Sequence, residues 1–393
     1  MNDMVLKKNE ERRLLAGHLW IYSNEIDTKT SPLKNFQPGE LVTIKTARNK
    51  ILGTGYINPN TLLCARLLTH NPNEKIDCDF FIGKIKQALA LRELCFAKPF
   101  YRLIFGESDQ LPGLVVDRFG EALVAQLNTA GMENLKELIC TALVQVIKPS
   151  AILWRNNSSM RTTENLPSYI EAAYGNPPEQ IELEENNIRF VASIKEGQKT
   201  GWFYDQRNNR ARLATYVKNK NVLDVFSYSG GFGINAIVHG AKNITCIDAS
   251  ESALNQINQN ADLNNISNKI ETICADAFQA LKDLHVTQKL FDVIILDPPA
   301  FIKRRKDMEI GTNAYLRLHR SALKILSPGG ILVTTSCSLH LSRDMLLDVL
   351  RQAALQEKRG AIVIEQLHQA QDHPIHPAIT ETDYLKGFIV EIL

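Results

Sequence analysis

The chain has 393 residues, more than one hydrophobic core ordinarily organises, so two or three domains are expected. Hydrophobic residues make up 44% and charged residues 22%, and no apolar run approaches the roughly 18 residues of a membrane span, which argues against a transmembrane helix or a membrane partner. The formal net charge of +2 is too close to neutral to argue for or against nucleic acid by itself.

The distribution of charge says more. Residues 1–75 carry eleven Lys and Arg against seven Asp and Glu, and residues 194–220 carry seven against two, so positive charge gathers where a polyanion could meet it. The N-terminal stretch has charges but no apolar core ending in a small-residue cleavage site, so the expected location is cytoplasmic. Seven scattered cysteines, with no Cys-x-x-Cys pair and no histidine at zinc-ligand spacing, make disulfides and a metal site unexpected.

After a short basic amphipathic start, turn residues Pro38-Gly39 lead into β-formers at 41–45. Two further short strands are predicted over 51–57 and 62–68. Three strands in so few residues predict a small β-barrel over 1–75. Asn71-Pro72-Asn73-Glu74-Lys75 reads as a linker. Apolar spacing of three and four predicts a helix over 80–97. Strands at 114–117 and 122–127, a helix over 133–147 and a strand at 151–154 then complete a central α+β domain over 76–180. Gly175-Asn176-Pro177-Pro178 and the acidic residues 182–185 mark its end.

From 181 to 393 the pattern alternates. Strands are predicted at 221–226, 243–248, 270–274, 291–296 and 330–336, with helices over 233–239, 251–264, 277–284 and 315–325 between them. Repeated βα units of this length force parallel strands with helices on both faces, so the fold class is α/β, a Rossmann-like doubly wound sheet.

The first of these strands ends in Asp224-Val225-Phe226-Ser227-Tyr228-Ser229-Gly230, a glycine-containing turn that opens a helix where such sheets bind nucleotides. Asp224, Phe226, Ser227, Tyr228 and Gly230 are therefore candidate cofactor residues. Asp248, with Ala249 and Ser250, stands at the tip of the second strand, where an acid accepts hydrogen bonds from ribose hydroxyls. Asp276, with Ala277, stands at the tip of the third and can take an adenine amino group. The turn lacks Gly-x-Gly-x-x-Gly spacing, and no Gly-x-x-x-x-Gly-Lys-Ser/Thr motif occurs, so a pyrophosphate ligand is disfavoured. S-adenosylmethionine, an adenosine cofactor without phosphate, fits.

The fourth strand runs into Asp297-Pro298-Pro299-Ala300-Phe301, where two prolines fix φ and remove two donors, leaving a stiff loop that can grip an amino-bearing base. Pro298, Pro299 and Phe301 are candidate substrate residues, and Asp297 a candidate for both catalysis and the cofactor. Lys303, Arg304, Arg305 and Lys306 follow, placed to meet phosphates beside the base. The fifth strand ends at Thr335-Ser336-Cys337-Ser338, and because parallel neighbours end on one side, Cys337 is expected near Asp297. The other six cysteines read as small buried hydrophobes. A thiolate adding to carbon 6 of cytosine would make carbon 5 nucleophilic toward a sulfonium methyl. Asp297 would hold or protonate the ring nitrogen and amine, and His340 or a water would take the carbon-5 proton.

On these residues the whole chain resembles the large-subunit ribosomal RNA cytosine-5 methyltransferases that carry an N-terminal PUA domain, a central α+β domain and a C-terminal Rossmann-like domain. The matching stretches are Gly17-His18-Leu19-Trp20-Ile21-Tyr22, Gly106-Glu107-Ser108-Asp109-Gln110-Leu111-Pro112-Gly113 through Arg118, Glu196-Gly197 through Arg210, the Asp297 to Phe301 loop and Thr335 to Ser338. The resemblance implies that Cys337 is the nucleophile, that residues 196–210, Gln206 among them, pack over S-adenosylmethionine, and that residues 1–75 bind RNA, specifically large-subunit ribosomal RNA. A homodimer is left open. The chain departs from many such enzymes at Ala300, where they carry a second cysteine. Its Asp-Pro-Pro-x-Phe form also approaches the loop of enzymes that methylate exocyclic amines, which makes amino-group methylation the main rival. A small-molecule methyltransferase and a non-enzymatic RNA-binding protein with a decayed site are the others.

Overall fold

The computed structural model describes residues 1–197 and 200–393, and these divide into two compact units. The first comprises Met1–Ile181, Ser193–Tyr204 and Gln371–Thr382; the second comprises Glu182–Ala192, Asp205–Ala370 and Asp383–Leu393.

The first unit holds two five-stranded sheets. One has the order Asn2–Val5, Glu40–Lys45, Ile51–Ile57, Leu63–Thr69, Trp20–Tyr22. The outer two of these strands escape the sequence reading because they are short and carry no alternating pattern. The other sheet has the order Tyr169–Gly175, Ala151–Asn156, Ala122–Leu127, Leu114–Phe119, Phe100–Phe105. Here too the two edge strands are the ones not anticipated. The long helix of this unit spans Cys78–Cys95 rather than 80–97, because the Asp77 side chain accepts from Phe80 N and caps it two residues earlier than the apolar pattern suggests.

The two sheets are joined by buried polar contacts. Tyr56, on the Ile51–Ile57 strand, donates its hydroxyl to Pro112 O at 2.7 Å and lies 3.0 Å from Thr129 Oγ1. Arg66 pairs with Glu164 at 3.0 Å, both buried, and Asn58 Nδ2 donates to the same carboxylate. Trp20 Nε1 donates to Glu107 at 2.9 Å, linking two of the stretches that carry the family resemblance. In the Gly106 to Arg118 stretch, Asp109 is held by both terminal nitrogens of Arg92 and Asp117 by the Arg102 fork, so these acids organise the scaffold.

In the second unit a seven-stranded sheet is built from β1 (Asn221–Val225), β2 (Asn243–Asp248), β3 (Ile270–Cys274), β4 (Phe291–Leu296), β5 (Leu326–Ser336), β6 (Ala361–His368) and β7 (Lys386–Ile392). Its order is β3-β2-β1-β4-β5-β7-β6. The first five strands pair in parallel, as their βα repeats require, while β7 runs antiparallel between β5 and β6. Helices α1 (Gly231–Val238), α2 (Glu251–Leu263), α3 (Ala277–Val286), α4 (Met308–Leu323) and α5 (Arg343–Gln356) connect the strands. Two apolar clusters result. One includes Leu223, Leu296, Tyr315 and Leu346, the other Val222, Ile237, Ile257 and Val333. The acidic residues 182–185, expected to mark the end of the central domain, lie in strand Gln180–Glu185. It turns back through Asn186 and Asn187, both at positive φ, into Ile188–Ser193, the two-residue turn that matches strand twist. No helix among the described residues is long and apolar enough to cross a membrane.

A Cβ built on Gly131 would lie 2.1 Å from Tyr56 Cγ, so the tyrosine ring occupies the space a side chain would need. Gly131→Ala is expected to destabilise the first unit by about 1–3 kcal/mol through overpacking. All three tryptophans, Trp20, Trp154 and Trp202, belong to this unit, so urea unfolding followed by tryptophan fluorescence checks it directly. An unchanged midpoint would mean the ring moves aside freely.

Candidate active site

The turn after β1 is built from backbone that most residues avoid. Phe226, Tyr228 and Gly230 have φ of +66°, +47° and +82°. Left-handed non-glycine residues cost free energy and persist only where surroundings hold them. Here Ser227 donates both its N–H and its hydroxyl to Ile247 O, Asp248 Oδ2 accepts from Tyr228 N at 2.9 Å, and Asp248 Oδ1 accepts from Ser250 N at 2.9 Å. Asp248 thus organises two backbone segments. Ser250 caps α2, and Asp276, exposed, caps α3 by accepting from Phe278 N and Gln279 N. Ala249 is exposed beside them and Ala277 is buried in the first turn of α3.

Asp224 is 1% exposed. Its Oδ2 accepts from Gly233 N at 3.0 Å, and its Oδ1, also buried, has no donor. Burial, then the neighbouring carboxylates Asp297 and Asp248, push its pKa up to about 8; the Gly233 bond and the Arg210 charge oppose them. Among the described residues neither Asp224 nor Asp248 has an ion-pair partner. A buried carboxyl raised by two neighbouring carboxylates, with an orphaned buried oxygen of its own, suits a cationic ligand. S-adenosylmethionine carries an ammonium and a sulfonium, so the residues fit it.

Asp297 follows β4 and is held by the end of β5. Its Oδ1 accepts from Thr335 Oγ1 at 2.5 Å and from Gln206 Nε2 at 2.9 Å, and Asn209 donates to Gln206 Oε1 at 2.6 Å, which fixes the amide's orientation. The segment carrying Gln206 is anchored in turn by Arg210, whose guanidinium meets Glu185 at 2.5 and 3.0 Å. Within the 196–210 stretch, Gln206 thus belongs to the second unit. Thr200 and Tyr204 instead hydrogen-bond within the first, to Asp117 and to Arg118 O. Gln198 and Lys199 lie outside the described residues.

Cys337 is half-buried just past β5. The register pairs Leu296 with Thr334, so Asp297 and Cys337 emerge from adjacent strand tips, as the sequence suggests. The loop around the thiol is braced. Tyr315 OH lies 2.8 Å from Ser336 Oγ and 2.9 Å from Ser338 Oγ, and Ile302 N donates to Ser338 Oγ at 3.3 Å. Lys386, at the start of β7, donates to Ser338 O and Leu341 O, both at 2.8 Å.

Of the substrate candidates, Pro298 is buried and Pro299 exposed; Lys303, Arg304, Arg305 and Lys306 are all exposed, ahead of α4. Phe301 is half-buried, its ring 4.8 Å from Tyr315 and 6.3 Å from both Phe226 and Phe278. His340 is half-buried beyond Cys337. The uniform reading of the other cysteines as buried hydrophobes needs correction. Cys64 and Cys246 are buried and Cys78 and Cys140 partly so, but Cys95 and Cys274 are exposed. They sit at the last residue of a helix and at the end of edge strand β3, where packing no longer covers a side chain. Thr335, Tyr315, Arg210 and Lys386 were not singled out; only Lys386, a lone cation opening an apolar strand, leaves a trace in the sequence.

Because the Asp224 carboxyl is raised from the ordinary range near 3.9 to about 8, its contribution to stability is present at low pH and lost as pH rises through about 8. Without ligand, the second unit should lose up to about 1.4 kcal/mol of stability per pH unit between these values. Calorimetric unfolding of wild type and Asp224→Asn across that range checks it: the variant's profile should be flatter, and parallel profiles would assign the slope elsewhere.

Comparison with known proteins agrees with this geometry. An S-adenosylmethionine-dependent methyltransferase family model matches residues 107–388, and a PUA-like domain model matches residues 4–70. The chain is 38% identical to ribosomal RNA large subunit methyltransferase I of Aliivibrio fischeri over 99% of both chains, and 35% identical to that of Cronobacter sakazakii with the same coverage. Its fold is similar to the crystal structure of SMU.776 complexed with SAH, with a TM-score of 0.85 at 21% identity and full coverage of both chains. The chain belongs to the S-adenosylmethionine-dependent methyltransferase family, in the branch with an N-terminal PUA-like domain whose relatives are named ribosomal RNA large subunit methyltransferase I.

Proposed function

We propose that this protein methylates carbon 5 of a cytosine in large-subunit ribosomal RNA, with Cys337 as nucleophile. The relatives' names supply the RNA class. The observation that carries the chemistry is the pairing of a half-buried thiol, Cys337, with an acid, Asp297, on adjacent strand tips beside the acid-lined turn. Asp224, Asp248 with Ser250, Asp276, and the turn from Phe226 to Gly230 would hold the cofactor, aided by Gln206, Ala249, Ala277 and Asp297. Bound there, S-adenosylmethionine supplies an electrophilic methyl.

The chain's own residues do the rest. The Cys337 thiolate adds to carbon 6 of the ring, and the π pair of the 5,6 double bond moves to carbon 5, which becomes the nucleophile. Asp297, already fixed by Thr335 and Gln206, holds the ring nitrogen and amine as charge develops there. After methylation a base, His340 or a water, removes the carbon-5 proton, the double bond re-forms and the Cys337 sulfur leaves. Since Ala300 offers no second thiol, release depends on that base alone.

Amino-group methylation asks an aromatic ring of the Asp-Pro-Pro loop to stack on the base. In this chain that position is Ala300, and the next residue, Phe301, packs against Tyr315, Phe226 and Phe278. This favours the cytosine-5 reading.

Cys337→Ala should abolish methylation while leaving cofactor binding unchanged, and RNA bearing 5-fluorocytosine should trap the wild-type enzyme, because fluorine cannot leave as a proton. Methylation by Cys337→Ala together with no adduct would replace this assignment with the amino-directed one. For RNA binding, Lys303, Arg304, Arg305 and Lys306 are exposed as phosphate contacts require. Neutralising all four should weaken binding and flatten its salt dependence by about 0.7 log units per lost contact. Titrations at several salt concentrations read the slope; an unchanged slope would make the segment a solvated loop.

A further inference from the structure

Lys386 pairs in register with Ser336, the last residue of β5 before Cys337. It is 6% exposed, and its ammonium is held by Ser338 O and Leu341 O, two carbonyls of the loop that carries the thiol. Among the described residues no carboxylate forms an ion pair with it. Carbonyls supply partial charge but no counter-ion, so this is a buried cation of the kind proteins rarely keep without cause. Burial pushes its pKa down and Arg343 adds to that; Cys337 first and Asp383 second oppose it. Lys386 thus pairs with the residue before Cys337 and binds the carbonyl of the residue after it.

Two of the thiol's neighbours leave its ionisation unaided or oppose it. Tyr315, which also faces Cys337, is a neutral hydroxyl whose own pKa is raised by burial. Asp297, bonded to Thr335 two residues before Cys337, carries negative charge that works against a thiolate. A free thiol ionises near pH 8.5 and reacts only as the thiolate, so a cation beside it favours the nucleophile.

We propose that Lys386 is a positioning residue for Cys337: its ammonium pins the loop after the thiol through two carbonyls and holds the sulfur in its thiolate form. The inference rests on the reading of Cys337 as nucleophile. Lys386 stays protonated throughout, and the thiol proton leaves to solvent.

The test is the pH dependence of iodoacetamide alkylation of the full chain, followed peptide by peptide by mass spectrometry. In wild type the Cys337 midpoint should fall below those of exposed Cys95 and Cys274, which serve as references in the same tube. Lys386→Met should raise the Cys337 midpoint by about one pH unit or more and leave the references in place, Lys386→Arg should restore part of the shift, and the acidic limb of kcat/KM should move in parallel. A wild-type Cys337 midpoint at or above the references overturns the proposal without any variant, and so does an identical midpoint in folded Lys386→Met. The 5-fluorocytosine trap separates the two readings. A low midpoint with no adduct upholds the Lys386 linkage and removes the nucleophile role, whereas an adduct with an unshifted midpoint does the reverse.

Discussion

Parallel pairing of β1 with β2 and with β4 brings the ends of three strands to one edge, and an aspartate stands at or within one residue of each end. The mutual repulsion of Asp224, Asp248 and Asp297 is the constraint around which the second unit is arranged. Asp224 cannot escape to water, so its proton affinity rises. Asp248 is quieted by two backbone N–H groups and Asp297 by a hydroxyl and an amide. The strained turn at Phe226 and Tyr228 is a consequence, because only that backbone course delivers Tyr228 N to Asp248 and Gly233 N to Asp224.

On the neighbouring tip the problem is the opposite one. The proposed nucleophile must be presented without being packed away, and the web of Tyr315, Ser336 and Ser338 fixes the backbone on both sides of Cys337 with neutral groups. Ser338 reaches back to Ile302, so the loop bearing the acid and the loop bearing the thiol are one braced body. Such support from rigid elements keeps reacting groups in register. The arrangement divides labour across the sheet edge: acids around the turn attract a cation, and a buried cation beyond β5 steadies an anion.

Sequence periodicity gives the βα alternation well, since the central strands β1, β2 and β4 are largely buried and read as apolar runs closed by turns. It fails at the edges of the first unit's sheets and at the C-terminal end. Ala361–His368 is exposed along most of its length, and Phe100–Phe105 and Tyr169–Gly175 border their sheet, so none is forced into a clear pattern. Asp224, Asp248, Asp276 and Asp297 are legible because strand tips are. Gln206 enters the sequence reading only through the family resemblance, and the pairing of Thr335 with Asp297, 38 residues apart, and of Lys386 with Ser338, 48 apart, comes only with the folded register. The strand over Gln180–Glu185 is not legible because its acidic residues carry no apolar alternation, while Asn186-Asn187 supplies a hairpin turn and Glu185 finds Arg210.

The contacts at Tyr56 and Arg66 bear on how freely the N-terminal sheet can be exchanged. Severed near residue 75, it would carry away Tyr56 without Pro112 and Thr129, Arg66 without Glu164, and Asn58 without the same carboxylate. Each cut edge would expose a polar group that the intact unit keeps buried and bonded. The segment is therefore grafted rather than strung on: moving it into another protein would mean transplanting Thr129, Gly131 and Glu164 with it.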